Sequence, residues 1–134
     1  MKTSGLAGCW SMLVALFIAL PASAQPFPNK PLRMVVTSAP GGITDIMTRI
    51  LSESIARTLG QPMVVENRPG AGGATAIAYV SKLPPDGYTL VIVNVGNVSI
   101  APWVSKDLPY DPIKDLAAVA PVGEVPSLFA IYDK

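Results

Sequence analysis

Two stretches of this chain bring together residue types that can hold an anion through backbone rather than side-chain charge. Ala39-Pro40-Gly41-Gly42-Ile43-Thr44-Asp45 follows the apolar run Val35-Val36-Thr37-Ser38, and Pro69-Gly70-Ala71-Gly72-Gly73 follows Val64-Val65-Glu66-Asn67-Arg68. Each run is of β type, stops at a Pro-Gly loop and hands over to a helical pattern. A helix N-terminus offers unpaired N–H groups and roughly half a positive charge, and glycine lets a ligand approach that backbone closely. Two such ends at the carboxyl edge of one sheet would clasp a small carboxylate.

In that reading the N–H groups of Gly41, Gly42 and Ile43, and of Ala71, Gly72 and Gly73, hold the anion directly or through ordered water. The Thr44 hydroxyl adds a bond, and Asn94 or Asn97 supplies a side-chain amide. A single glycine fits a tight turn or close helix-sheet packing equally well; the pairing of two loops at one edge is what favours binding. Asp45 falls in the first helical turn, where an anion stabilises by roughly 0.3 to 1 kcal/mol, so it is expected to cap the helix rather than touch ligand. Arg68 is expected to anchor its loop or face solvent, with a distal carboxylate as the alternative partner. Trp103 and Tyr110 are expected to pack under an irregular connection, with walling of the cleft as the alternative.

Composition narrows the chemistry. The chain has 134 residues, enough for one ordinary domain, with ten Lys and Arg against nine Asp and Glu. Lys2, the apolar run Leu6 to Leu20 and the small-x-small site Ala22-Ser23-Ala24 read as a secretory signal peptide over residues 1–24, which predicts export to the periplasm. The run is shorter than the roughly 20 residues that span a bilayer. Cys9 lies near the start of the apolar run rather than at its end, which argues against lipidation. Once Lys2 is removed, nine basic residues balance nine acidic ones, leaving no field to attract nucleic acid. The only cysteine leaves with the signal and there is no histidine, so Ser-His-Asp chemistry, thiolate nucleophiles and histidine-bound zinc are excluded. No catalytic residue, metal site or cofactor is expected.

The elements that must position the loops alternate between strand and helix. Three prolines make Pro26 to Pro31 an extended leader. Leu32 to Thr37 is the first strand. Thr44 or Asp45 caps a helix on which Ile46, Met47, Ile50, Leu51, Ile55 and Leu59 form one apolar, inward face, with Arg49, Glu53 and Arg57 as a solvated ladder opposite. Gly60 and Pro62 stop it. Met63 to Glu66 is the second strand and Gly73 to Leu83 the second helix, with Ile77, Val80 and Leu83 inward. After the turn Pro84-Pro85-Asp86-Gly87, Tyr88 to Val93 is the third strand. This order predicts an α/β fold, a parallel sheet with flanking helices, right-handed crossovers and ligand at the strand carboxyl ends. Asn94 to Ser99 lies at that edge, 101–115 reads as irregular connection, and Leu116 to Val122 and Leu128 to Tyr132 are further strand candidates.

Six motifs then occur in order: Pro28-x-Lys30-Pro31-Leu32-Arg33, Ala39-Pro40-Gly41-Gly42-x-Thr44-Asp45, Leu59-Gly60-Gln61-Pro62, Val65-Glu66-Asn67-Arg68-Pro69-Gly70-Ala71-Gly72-Gly73, Pro85-Asp86-Gly87-Tyr88-Thr89-Leu90 and Leu108-Pro109-Tyr110-Asp111-Pro112-x-Lys114-Asp115-Leu116. Together they closely resemble the N-terminal part of the Bug proteins, extracytoplasmic solute receptors of tripartite tricarboxylate transporters. The resemblance implies the N-terminal part of a two-lobed, type II periplasmic binding protein. Such a receptor closes on a small carboxylate and delivers it to membrane permease subunits. It also implies a second lobe after this region, so 25–134 is expected to be the N-terminal portion of lobe 1 of a truncated member. Ser38 stands where many members carry a bulky residue and Ile43 where a third glycine is common, so the Ile43 side chain is expected to crowd the loop.

Two other classes remain open. Gly70-Ala71-Gly72-Gly73-Ala74-Thr75 follows a strand and opens a helix, the context of a dinucleotide-binding enzyme, but Thr75 takes the place of the final Gly or Ala and Asn94 that of the expected acid. A truncated receptor that binds nothing is the other.

Overall fold

The computed structural model describes residues 26–124. The processing signal and the Leu128 to Tyr132 strand candidate lie outside them. Three short strands form a parallel sheet: β1 (Leu32–Val36), β2 (Met63–Asn67) and β3 (Thr89–Ile92), in the order β2-β1-β3. Leu32 pairs with Met63 and Val36 with Asn67 on one side of β1, and Arg33 with Thr89 and Val36 with Ile92 on the other. Helix α1 (Ile43–Leu59) joins β1 to β2. A 3-10 turn (Ala71–Gly73) and α2 (Ala74–Val80) join β2 to β3. Because the two crossovers step in opposite directions from their strands, the right-handed rule places α1 and α2 on opposite sheet faces. Side-chain parity agrees: Arg33 of β1 reaches Tyr79 of α2, and Asn67 of β2 reaches Asp45 of α1.

The middle strand is the most deeply buried element, with Val35 and Val36 fully shielded. On the α2 face, Ala74, Ile77 and the ring of Tyr110 form the core, with Val91, Val93, Leu108 and Leu116 packed against them. At the amino ends of the strands the leader is strapped down. Phe27 meets Tyr88 edge-on at 4.9 Å, and Lys30 pairs with Asp86 at 3.0 Å while lying 4.2 Å over the Tyr88 ring.

Four expectations change. The inward face of α1 carries Asp45, Thr48 and Ser52, while Ile46, Met47 and Ile50 are exposed, Ile50 at 66%. The expected apolar stripe is rotated because Asp45 is bound to Asn67 on β2, which sets the first turn, and the small Thr48 and Ser52 let the helix approach the sheet. Residues 94–104 form helix rather than loop, a π-helical turn (Gly96–Ile100) running into Ala101–Val104, here called α3. Pro102 sits at the start of its second part, where its missing N–H costs nothing. Finally, 116–122 forms no strand: Leu116 is drawn into the core cluster, Pro121 lacks an N–H for a ladder, and Val119 and Val122 are exposed. The second helix is also shorter than expected, its continuation to Leu83 being a looser turn. Among the described residues no helix is long and apolar enough to cross a membrane.

Candidate functional site at the carboxyl edge of the sheet

Both glycine loops stand at the carboxyl ends of neighbouring strands, as the strand order requires. The loop after β1 is built around Asp45, which is 3% exposed. Its carboxylate accepts the Gly41 N–H at 2.9 Å, the Arg49 Nε–H at 3.1 Å and the Asn67 Nδ2–H at 2.9 Å. These donors, Arg49 first, then Gly41 and Asn67, hold the carboxyl at about 2, below its ordinary 3.8. Asp45 is thus a loop anchor within the first turn rather than a cap: the helix begins at Ile43, so the cap position falls to Gly42 and neither Thr44 nor Asp45 occupies it. Asp45 also commits the Gly41 N–H, which is not available to a ligand. The Gly42 N–H leans toward the Ala39 carbonyl at 3.4 Å. The N–H groups of Ile43 and Thr44 and the Thr44 hydroxyl have no partner among the described residues. Ile43 is 71% exposed, so its side chain turns away from the loop rather than crowding it.

The loop after β2 has a different geometry. Gly70, Gly72 and Gly73 have φ of 137°, 62° and 100°, and Ala71 between them has 46°. The left-handed run is open to glycine and costly for other residues. The Gly73 N–H is committed to the Gly70 carbonyl at 2.8 Å, whereas those of Ala71 and Gly72 have no acceptor among the described residues. A Cβ on Gly73 would stand 2.7 Å from Asn97 Nδ2 and 3.0 Å from Thr37 Cβ.

Asn97 is the residue that fixes this second loop. It is buried, its Nδ2–H donates to the Gly72 carbonyl, and its Oδ1 accepts the Asn94 N–H at 3.4 Å. In return Asn94 Oδ1 accepts the Asn97 N–H at 3.2 Å, and the Tyr110 hydroxyl donates to the Asn97 carbonyl at 2.8 Å. Burial pushes the Tyr110 phenol above its ordinary value, so it stays a donor. Asn97 therefore supports the loop; Asn94, exposed beside it, keeps its Nδ2 without an acceptor among the described residues. Arg68 pairs with Glu66 at 2.6 Å and stacks 3.6 Å over the Tyr79 ring, which makes it a loop anchor. Trp103 is 89% exposed and neither packs under the connection nor walls the site, because α3 turns Asn97 and Ala101 inward and Trp103 away. Tyr110 does pack in the core.

Of the expected donors, Ile43, Thr44, Ala71, Gly72 and Asn94 retain free groups at one edge, while Gly41, Gly73 and Asn97 hold the loops in place. Asn67 and the Tyr110 hydroxyl were missed as supports. Asn67 donates to both Asp45 and the Ser38 carbonyl, and the strand parity that turns it toward α1 could have indicated it. An open cavity of about 590 Å3 adjoins the second loop, between Ala71-Gly72, α3 and the connection through Pro109.

A parallel sheet with a helix on each face and two glycine loops at its carboxyl edge fits the N-terminal part of an α/β periplasmic binding protein. Solved structures match in this sense. The periplasmic binding protein BugD superposes with a TM-score of 0.63 at 40% identity, over 66% of this chain and 29% of that one. MatC of Rhodopseudomonas palustris, solved with bound malate, also gives 0.63 at 40% identity, over 66% and 30%. The chain belongs to the tripartite tricarboxylate transporter receptor family, whose model matches residues 47–132. A UPF0065 protein of Bordetella bronchiseptica is 44% identical over 122 residues, 90% of this chain and 36% of the relative. The chain thus spans about a third of the length of the relatives it matches.

Family and fold are those of solute-binding proteins and not of enzymes. This replaces the dinucleotide reading, and the structure adds a reason. Thr75 Oγ1 lies 2.7 Å from where a Cβ on Gly70 would stand, filling the space that a Rossmann turn keeps clear with Gly or Ala.

Proposed function

We propose that residues 25–134 form the N-terminal portion of the first lobe of a receptor that binds a small carboxylate in the periplasm and delivers it to membrane permease subunits. The observation that carries the reading is the set of N–H groups at Ile43, Thr44, Ala71 and Gly72, four donors without acceptors among the described residues on two adjacent loops. Such donors, already oriented, bind a carboxylate without reorganisation. Export through the signal over residues 1–24 belongs to the same proposal. The malate bound to MatC is in keeping with this ligand class.

The test is Gly72→Val in the two-lobed receptor. A Cβ at position 72 meets nothing within 4 Å and so projects into the open site, while the backbone there keeps φ 62°. Calorimetric titration with citrate, succinate, glutamate and benzoate is expected to show at least a hundredfold weaker binding. That matches loss of one or two charge-assisted hydrogen bonds at roughly 1.5 to 3 kcal/mol each. Glu53→Gln, on the exposed side of α1, is expected to leave affinity unchanged. Thermal unfolding without ligand separates lost binding from a strained turn, and full affinity in a folded Gly72→Val protein would withdraw the loop from the site.

A further inference from the structure

The cavity beside the second loop is lined by two chemically distinct sets of residues. One is Ala71 and Gly72, whose N–H groups have no acceptor among the described residues, with the exposed Asn94. The other is Ile100, Val104 and Leu108. Ile100 and Val104 are one helical turn apart on α3, and Val104 is 75% exposed, so α3 presents an apolar strip to the cavity rather than to the core. Among the described lining residues the one carboxylate is that of the exposed Asp107, which lies between Val104 and Leu108 in sequence, and there is no lysine, arginine or histidine.

We propose that this cavity seats the apolar body of the ligand, so that the receptor takes a monocarboxylate carrying an aromatic ring or a medium aliphatic chain. The inference rests on the carboxylate reading given above. With its carboxylate at Ala71 and Gly72, a ligand extends toward Ile100, Val104 and Leu108, where burying carbon is favourable. A second carboxylate beside those residues would meet Asp107, with no cation among the described lining residues to offset the repulsion. The volume of about 590 Å3 falls within the range of small-molecule sites and exceeds what a two- or three-carbon acid fills.

The test uses the two-lobed receptor, in which the cavity can be closed on its ligand. Heteronuclear NMR titrations with acetate, citrate, benzoate and hexanoate follow the amides of Ile43 and Gly72 and the methyls of Ile100 and Val104. Benzoate and hexanoate are expected to shift both groups of signals at concentrations at least tenfold lower than acetate or citrate. Ala101→Phe, which fills the cavity, is expected to abolish that preference while acetate still shifts Gly72. Val104→Glu alters a largely exposed position, leaves folding intact, and is expected to weaken benzoate and hexanoate at least fivefold; it decides the matter if Ala101→Phe does not fold. Equal binding of all four acids, tighter citrate, or an unaltered preference in Val104→Glu would overturn the inference and leave the carboxylate site standing. Shifts at Ile100 and Val104 without Gly72 would also overturn it. Failure of every acid to shift Ile43 or Gly72 would overturn the carboxylate reading itself.

Discussion

The loop after β1 is fastened from within its own helix, whereas the loop after β2 is fastened by residues that arrive later in the chain. Asp45 stands four residues after Gly41 and gathers that glycine, Arg49 and Asn67 around one carboxylate. The second loop has no side-chain cap; it relies on a succession of left-handed residues and on Asn97, which lies 25 residues after Gly72 and is itself held by Tyr110. Two loops of similar sequence thus reach similar exposure of N–H groups by a local charge in one case and a remote amide in the other. The local solution leaves space for a Cβ at Gly41; the remote one leaves none at Gly73, where the loop is braced.

The contrast is sharpest at the glycines. Gly73→Ala is expected to destabilise the fold by about 2 to 4 kcal/mol, since it adds left-handed strain to a Cβ overlapping Asn97 and Thr37. Gly41→Ala, at φ 82° with nothing within 4 Å of its Cβ, is expected to cost about 1 kcal/mol from strain alone. Urea denaturation of the two variants measures both, and equal losses would show that the second loop yields as easily as the first.

The anchor of the first loop should also titrate. Because Asp45 is held at about 2 in the fold against 3.8 ordinarily, its stabilisation is complete above 3.8 and is lost as pH falls through about 2. The urea midpoint of the parent protein is expected to fall across that interval more steeply than that of Asp45→Asn. Parallel pH profiles would remove the carboxylate from its place as the loop's anchor.

A smaller effect is expected at the far end of the second loop's support. Tyr110→Phe leaves the buried Asn97 carbonyl without its donor and is expected to cost about 1 kcal/mol. The amide signals of Ala71 and Gly72 should shift in that variant while those of Ile43 and Thr44 stay in place. Movement of all four would mean that the two loops are mechanically one.

This difference in fastening also explains what could be read from the sequence. The alternation of strands and helices, the parallel sheet, the positions of both loops and the place of Asp45 in the first turn of its helix follow from patterns spanning a few residues. Asn97 as the brace of Gly72 does not, because the bond joins segments that no periodicity relates. The rotation of α1 was hidden for a related reason. Its spacing marks one apolar face, but the helix's orientation is set by Asn67 on another strand, which places Thr48 and Ser52 inward and leaves Ile46 and Ile50 outside. The helix over 96–104 was obscured by the residues Gly96, Asn97 and Pro102, each a poor helix former that tertiary contacts or a first-turn position accommodate.

The strap at the start of the described chain has a practical consequence for how such a receptor can be handled. Phe27 and Lys30 are pinned to Asp86 and Tyr88, which precede β3, so the polypeptide leaves the sheet at the amino ends of its strands. In a parallel sheet the glycine loops lie at the other end, roughly 15 Å away along a strand of this length. A fluorophore, surface tether or fusion partner attached ahead of residue 26 therefore departs from the side opposite the glycine loops, which makes this terminus the natural point of immobilisation for testing the proposed carboxylate site.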